Sequence, residues 1–417
     1  MSRRHLAAAA LTLAVACLVH EGAPAQDPPP PRGPDLRVFE DAWRMVRDAF
    51  YDRGMHGVDW PAARERHLPR ARAARSQEEL HEVILEMMAE LKVSHAAVIE
   101  EDVYRKHYDH EAKGMLAPTF GVKIAKLPDG YFVADCVAGG PAHAAGLIKG
   151  DRLLAVNGRP PEQANLRPLP WDAGLGGTRS YVLATEKAGD RARLELQRFP
   201  REKGLFQLTL SSAMWSELEG SRVSRQVFER HGMKIGYMRL YHVLSEEPVD
   251  LLGEFITRQL GDAHAIVLDI RGQGGLPSAV DRVLDYFDPG ARGGPLWGRR
   301  PAVLLIDGET RSAKEILALF WKRRGLGTVV GQHTRGAVLG AQFRPLPDGA
   351  YLLLPILDMR TMTAGTVLEG KGVPPDVTVE TTLPYAQGLD AILEKGLEVA
   401  VDEAWAERRR GLKAGWY

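Results

Sequence analysis

At 417 residues, with 45% hydrophobic and 26% charged residues, the chain has the length for two or three domains with real cores. Its 54 basic and 54 acidic residues cancel, which argues against nucleic acid or an anionic membrane as the main partner. Two cysteines, Cys17 and Cys136, exclude a disulfide framework.

The chain opens on an export signal, residues 1–25. Arg3 and Arg4 precede an apolar run from Leu6 to Val19 that is short for a membrane span, and Ala23-Pro-Ala25 offers a cleavage site, with cleavage expected after Ala25. The expected location is periplasmic or extracellular, with no stable membrane span in the mature protein. Leu13-Ala-Val-Ala-Cys17 resembles a lipobox, but Ala14 stands where a larger aliphatic residue is usual, so lipid anchoring at Cys17 is the lesser alternative. Residues 26–35 are a Pro-rich linker, since proline denies the chain a helix or a sheet ladder.

Helical spacing runs through residues 36–112, at Val38, Ala42, Val46 and Phe50, again from Trp60, and then at Leu80, Val83, Ile84, Met87 and Leu91. These helices form an N-terminal cap. It ends in Lys92-Val-Ser-His95, where a lone histidine is ordinarily a satisfied surface group and Ser94 a loop hydroxyl.

From 113 to 200 the texture changes to short strands around Thr119–Ile124, Tyr131–Asp135, Gly150–Gly158 and Ala192–Gln197. Phe120-Gly121-Val122, Gly140-Pro-Ala-His-Ala-Ala-Gly-Leu147 and Gly150-Asp-Arg-Leu-Leu-Ala-Val-Asn-Gly158 resemble, in that order, a PDZ domain of the bacterial protease type. That resemblance implies capture of a peptide C-terminus by strand addition, its carboxylate received near Phe120, Gly121 and Val122. A closed or internally used groove is the alternative.

A linker near 198–220 leads into residues 201–385. Strands at Lys234–Leu240, Ala265–Ile270, Ala302–Ile306 and Thr328–Val330 alternate with helical runs at 248–260, 279–287 and 313–324, which predicts an α/β core with a largely parallel sheet. Residues 386–417 form a C-terminal helical segment. Two corners fall at strand C-terminal ends, where such cores collect active groups. One is Asp269-Ile-Arg-Gly-Gln-Gly-Gly275, which does not complete a phosphate-binding pattern. The other is the turn at Ser312, where a helix begins. Ser312-Ala-Lys-Glu315 reads locally as a capping box, yet the same corner would present a nucleophile beside helix N–H groups.

In combination these segments resemble the tail-specific, or carboxyl-terminal processing, serine peptidases of family S41, in the tricorn-core-like branch. The residues that carry the resemblance are Asp269–Gly275, Thr310-Arg-Ser-Ala-Lys-Glu315, Thr328-Val-Val-Gly-Gln-His-Thr-Arg-Gly336, Leu368-Glu-Gly-Lys-Gly-Val-Pro-Pro-Asp376, Tyr51–Trp60 and Leu91–His95. The resemblance implies a ClpP/crotonase-like α/β core with an inserted PDZ domain and a helical cap. Processing enzymes pair their serine with a lysine, whose place here is taken by Ala337; the tricorn-like branch uses a tetrad, which maps onto Ser312, His95, Ser94 and Glu369. The implied roles are Ser312 as nucleophile, His95 as base, and Ser94 backed by Glu369 as its orienting partners. Oxyanion donors are expected from the N–H of Gly274 or Gly275 and of Ala313, and Ala313 departs from the acidic residue often found there in the tricorn branch. No metal or cofactor is implied, because HExxH and histidine–cysteine clusters are missing. The expected partners are polypeptides with free C-termini, with no nucleic acid, and the oligomeric state is open. A catalytically silent PDZ scaffold is the alternative function, and an acyl hydrolase on the same core a third.

Overall fold

The computed structural model describes residues 34–170, 174–201 and 204–414; the predicted signal segment, with Cys17, lies outside them. The cap is built from α1 (Arg37–Ala49), α2 (Trp60–Ala73) and α3 (Gln77–Ala89). Asp59 and Ser76 start the second and third by accepting from the N–H groups of Ala62 and Glu79. Val38, Phe39, Ala42 and Val46 form the inward stripe of α1, and Trp43 and Trp60 each donate an indole N–H to the other's carbonyl. This core does not close on itself. Leu339, Leu346, Ala350, Leu352 and Leu354, from a hairpin of the α/β core, complete it. The strand β1 (Ala97–Ile99) then adds antiparallel to Tyr351–Leu353 of that hairpin, so the cap is sewn to the core just after His95.

The inserted domain is a seven-stranded antiparallel sheet made of β3 (Val122–Leu127), β4 (Gly130–Cys136), β5 (Arg152–Val156), β6 (Leu166–Pro168), β7 (Arg179–Leu183), β8 (Arg191–Gln197) and β9 (Leu205–Ser211), in the order β6-β7-β3-β4-β5-β8-β9. Strand β9 pairs with β8 from Gln197↔Leu205 to Arg191↔Ser211, so the sheet extends into the stretch read from sequence as linker. On entry and exit the chain runs side by side, because β2 (Ala117–Thr119) pairs antiparallel with β10 (Ala213–Trp215).

The α/β core carries a six-stranded sheet of β11 (Gln226–Arg230), β12 (Met233–Arg239), β13 (Ala265–Asp269), β14 (Ala302–Ile306), β15 (Thr328–Gly331) and β18 (Val377–Thr378), all neighbours parallel except β11 with β12. Between the last two come β16 (Leu339–Pro345) and β17 (Tyr351–Asp358), the hairpin that receives the cap. Both β13 and β14 are buried throughout, as a sheet covered on two faces requires. Alternate residues sort to the two faces. Met238, Ile266, Leu268, Leu304, Ile306 and Val329 meet α4 (Glu247–Gln259), α5 (Ser278–Phe287) and α6 (Ala313–Arg324), whereas Ile235, Val267, Val303, Leu305 and Val330 meet α7 (Ala391–Ala414).

Candidate active site

The corner at Ser312 lies between β14 and α6. Its backbone sits at φ 57°, a left-handed conformation that costs a serine about 1–3 kcal/mol and persists only where the surroundings enforce it. Glu315 does so. Its fully buried carboxylate accepts from the N–H groups of Ser312 (3.2 Å), Gly336 (2.7 Å) and Ala337 (2.8 Å) and from Thr334 Oγ1 (2.6 Å), while the Ser312 N–H also reaches the Ala337 carbonyl at 2.9 Å. The Ser312 and Glu315 pair has the reciprocal arrangement of a capping box, and Ser312 lines the cavity beside it.

His95 has the same unusual backbone, φ 56°, at the join between cap and β1. Behind it, Glu369 Oε1 accepts the Ser94 N–H at 2.7 Å, Glu369 Oε2 accepts the Ser94 hydroxyl at 2.9 Å and the Val338 N–H at 2.8 Å, and Ser94 Oγ lies 2.7 Å from His95 Nδ1. The proton count follows from these partners. With the Ser94 proton directed at the carboxylate, the bond to His95 requires a proton on Nδ1, so Nε2 presents its lone pair. Ser94 is fully buried and His95 9% exposed. Glu369 is placed by two interlocked glycine turns: the Gly370 N–H donates to the Gly336 carbonyl, and a Cβ on Gly336 would stand 2.8 Å from the Lys371 nitrogen. Ala337, where the processing enzymes' lysine would fall, is fully buried against Ser312 and Glu315.

Ser312 and His95 line one cavity of about 580 Å³ shared by cap, inserted domain and core. The glycine-rich corner forms its third side. Gly274 packs so tightly that a Cβ would lie 2.7 Å from Ser312 Cβ. The Val243 N–H donates to the Gly274 carbonyl (3.2 Å) and the Leu276 N–H to the Val243 carbonyl (2.8 Å), a parallel bridge between Val243 and Gly275. A residue bridged in this way turns its own N–H to the opposite side. Asp269 and Arg271 of the same motif are tied to each other: Arg271, at the cavity wall, binds Asp269 and Asp390 at 2.6–2.7 Å, tying the end of β13 to the start of α7. Burial alone would raise the Asp269 pKa, but the Arg271 guanidinium outweighs it and holds the carboxyl well below the usual range.

Comparison with known proteins bears on this arrangement. Residues 292–379 match the model of peptidase family S41, 132–165 that of a PDZ domain, and 36–89 that of the tricorn protease C1 domain. A protein named tricorn protease homolog 2, from Streptomyces coelicolor, is 26% identical over 390 residues, covering 88% of this chain and 32% of that protein. The carboxyl-terminal-processing protease of Picosynechococcus is 24% identical over 403 residues, covering 87% and 90%.

The core of the chain carries the S41 peptidase signature, and its relatives are tricorn and carboxyl-terminal-processing proteases.

The chain spans about a third of the length of the tricorn-type relatives and most of the processing type. The S41 fold is shared with a photosystem II D1 C-terminal processing protease, with a TM-score of 0.53 at 21% identity over 86% of this chain and 98% of that one. The tricorn protease matches at TM-score 0.51, 19% identity, over 88% and 36%. Of the site residues expected from the sequence, His95, Ser312, Gly274 and Gly275 line one cavity, Ser94 and Glu369 stand behind His95, and Ala313 opens the helix that follows Ser312. His333 stands apart, its Nδ1 3.2 Å from the Thr334 carbonyl. Sequence reasoning missed Glu315 as the cradle of the Ser312 turn; its only signal was the capping box itself. Among the described residues no group of three His, Cys, Asp or Glu side chains could hold a metal ion.

The PDZ domain holds a feature that motifs did not reveal. Strand β3 follows Phe120-Gly121-Val122, and an added peptide would need its free edge; β4 covers one edge and β7 the other, from Lys123↔Val182 to Lys126↔Arg179. The Gly121 N–H is already given to Thr119 Oγ1 at 2.9 Å. The β6–β7 hairpin also touches the catalytic side: Gly174 abuts the Val93 backbone and Arg335 donates to the Gly176 carbonyl.

Proposed function

We propose that this chain is an exported serine endopeptidase that hydrolyses peptide bonds with a Ser312, His95, Ser94, Glu369 tetrad. The supporting observation is the unbroken run of hydrogen bonds from Glu369 through Ser94 to His95 Nδ1, with His95 and Ser312 lining the same cavity. In the proposed mechanism His95 Nε2 takes the Ser312 proton as Oγ attacks the scissile carbonyl, then returns it to the leaving amine; water repeats the cycle on the acyl-enzyme. The imidazolium formed on the way is stabilised through Ser94 by Glu369. The negative oxygen is received by the N–H of Ala313, at the α6 N-terminus, and by that of Gly275, which the bridge to Val243 turns away from β12. Export is inferred from residues 1–25, and among the described residues no helix is long and apolar enough to cross a membrane.

The test is labelling of the purified mature protein with a fluorophosphonate probe. Wild type is expected to label at one site and Ser312→Ala not at all; a folded wild type that never labels, even with peptides present, would leave the silent scaffold as the better reading. The Glu369→Gln variant keeps the volume but weakens support for the imidazolium, so labelling should slow by about 10–100-fold with the fold intact. An unchanged rate would remove Glu369 from the tetrad.

Recognition of polypeptide C-termini at Phe120, Gly121 and Val122 completes the proposal, with one condition set by β7: the incoming strand has to displace it from β3. Peptides with free C-termini are then expected to bind more tightly than their amidated forms and to increase hydrogen exchange at residues 179–183. Equal binding of both forms would place recognition elsewhere in the cavity.

A further inference from the structure

We propose that Lys314 is a positioning residue for the Ser312 site, its side chain tying the first turn of α6 to the loop that carries Gly274 and Gly275 and so setting where the oxyanion donors stand. The inference rests on the reading of Ser312 as nucleophile. Lys314 follows Ser312 by two residues, yet its side chain is fully buried. Its Nζ donates to the carbonyls of Leu240 (2.6 Å), Tyr241 (2.8 Å) and Arg271 (3.3 Å). Those three carbonyls belong to the two chain segments that continue into the site. Leu240 and Tyr241 leave β12 and lead to Val243, and Arg271 leaves β13 and leads to Gly272. Two residues past Tyr241 and three past Arg271, the segments begin to pair, through Val243, Gly274 and Leu276. One head group therefore fixes both strands of the loop at its root, from a helix whose first residue, Ala313, supplies the other oxyanion donor.

The side-chain chemistry fits this use and little else. An ammonium is the one compact side-chain head with three donors, and three buried carbonyls face it. Burial disfavours the ammonium and Arg239 repels it, which pulls its pKa down to about 7, while Glu217, Asp269 and Asp307 act the other way. With its hydrogens directed at carbonyls it does not serve as the base for Ser312. A methionine is of similar length but would take the Lys314 donors from three carbonyls. Glutamine restores two donors.

Labelling by the fluorophosphonate separates positioning from mere folding, because its rate constant reports site geometry and its end point counts folded, competent molecules. For Lys314→Met the expected result is a full end point reached about 100-fold more slowly, the size of effect seen when an oxyanion donor is lost, with Lys314→Gln between it and wild type. A full end point at the wild-type rate would overturn the proposal. So would a reduced end point at the wild-type rate, since that describes a purely structural lysine. Should Lys314→Met fail to fold, as judged by circular dichroism, Lys314→Gln decides alone by the same two readings. Ser312→Ala, run in parallel, separates failure of the nucleophile assignment, in which wild-type labelling would survive that substitution, from failure of the lysine proposal.

Discussion

A His95→Ala variant is expected to lose about 10⁴–10⁶-fold in kcat for peptide hydrolysis with KM little changed, comparable to loss of the serine itself. Serine is a poor nucleophile at neutral pH, and among the residues around Ser312 the imidazole is the group whose orientation is fixed for proton transfer. Its Nδ1 is held 2.7 Å from Ser94 Oγ, and Ser94 is in turn held by two bonds to Glu369. The effect belongs to kcat because a base acts in the transition state and contributes little to binding. Stability should change little, since His95 sits at the end of a loop with its side chain at a cavity wall. Steady-state kinetics with a fluorogenic peptide, on protein checked for folding, give the answer. Retention of more than a tenth of the wild-type kcat would exclude His95 as the base and redirect attention to the scaffold reading.

Arg271→Ala is expected to destabilise the α/β core by about 3–5 kcal/mol. The arginine is 5% exposed and sits between Asp269, which is wholly buried, and Asp390, and removing it strands a carboxylate in the interior beside Tyr237, whose hydroxyl donates to Asp269 at 2.9 Å. The pH dependence has a definite sign. Asp269 is held below its unfolded value by Arg271, so its contribution is fully present above about pH 4 and is lost as pH falls further, toward the depressed native value. Urea unfolding of the core transition at pH 7 measures the first part; repeating it at pH 3 should shrink the difference between wild type and variant. A loss under about 1 kcal/mol at pH 7 would mean that water or a rearranged Arg239 replaces the guanidinium.

These two residues show how unevenly the sequence could be read. Asp269-Ile-Arg271 was visible as part of a motif, but its place beside Gly274 and Gly275 suggested ligand chemistry, whereas the aspartate and arginine are bound to each other and the arginine braces α7 through Asp390. Ser312 was ambiguous for a physical reason: a capping serine and a nucleophilic serine occupy the same corner, and the difference lies in whether its hydroxyl bonds to the helix. Here Glu315 and the Ala337 carbonyl hold the backbone of the turn, and the serine stands at the cavity as well as at the helix start. Lys314, two residues past Ser312, lies fully buried, and nothing in its local sequence distinguishes it from an exposed helix lysine.

By itself the sequence determined the elements and their order. The continuous apolar runs of β13 and β14, the cap's helical stripe and the Ser-His, Gly-Gly and Leu-Glu-Gly-Lys-Gly motifs are local patterns, set by which faces must be apolar and which turns need glycine. Tertiary structure alone decided the contacts between segments far apart in the chain. His95 and Glu369 are 274 positions apart, and they meet through Ser94 because the cap borrows a core hairpin to complete its own hydrophobic interior and adds β1 to that hairpin's edge. The occupied edge of β3 is of the same kind: β7 pairs there after a connection of some fifty residues, and backbone pairing carries no side-chain signature by which to foresee it.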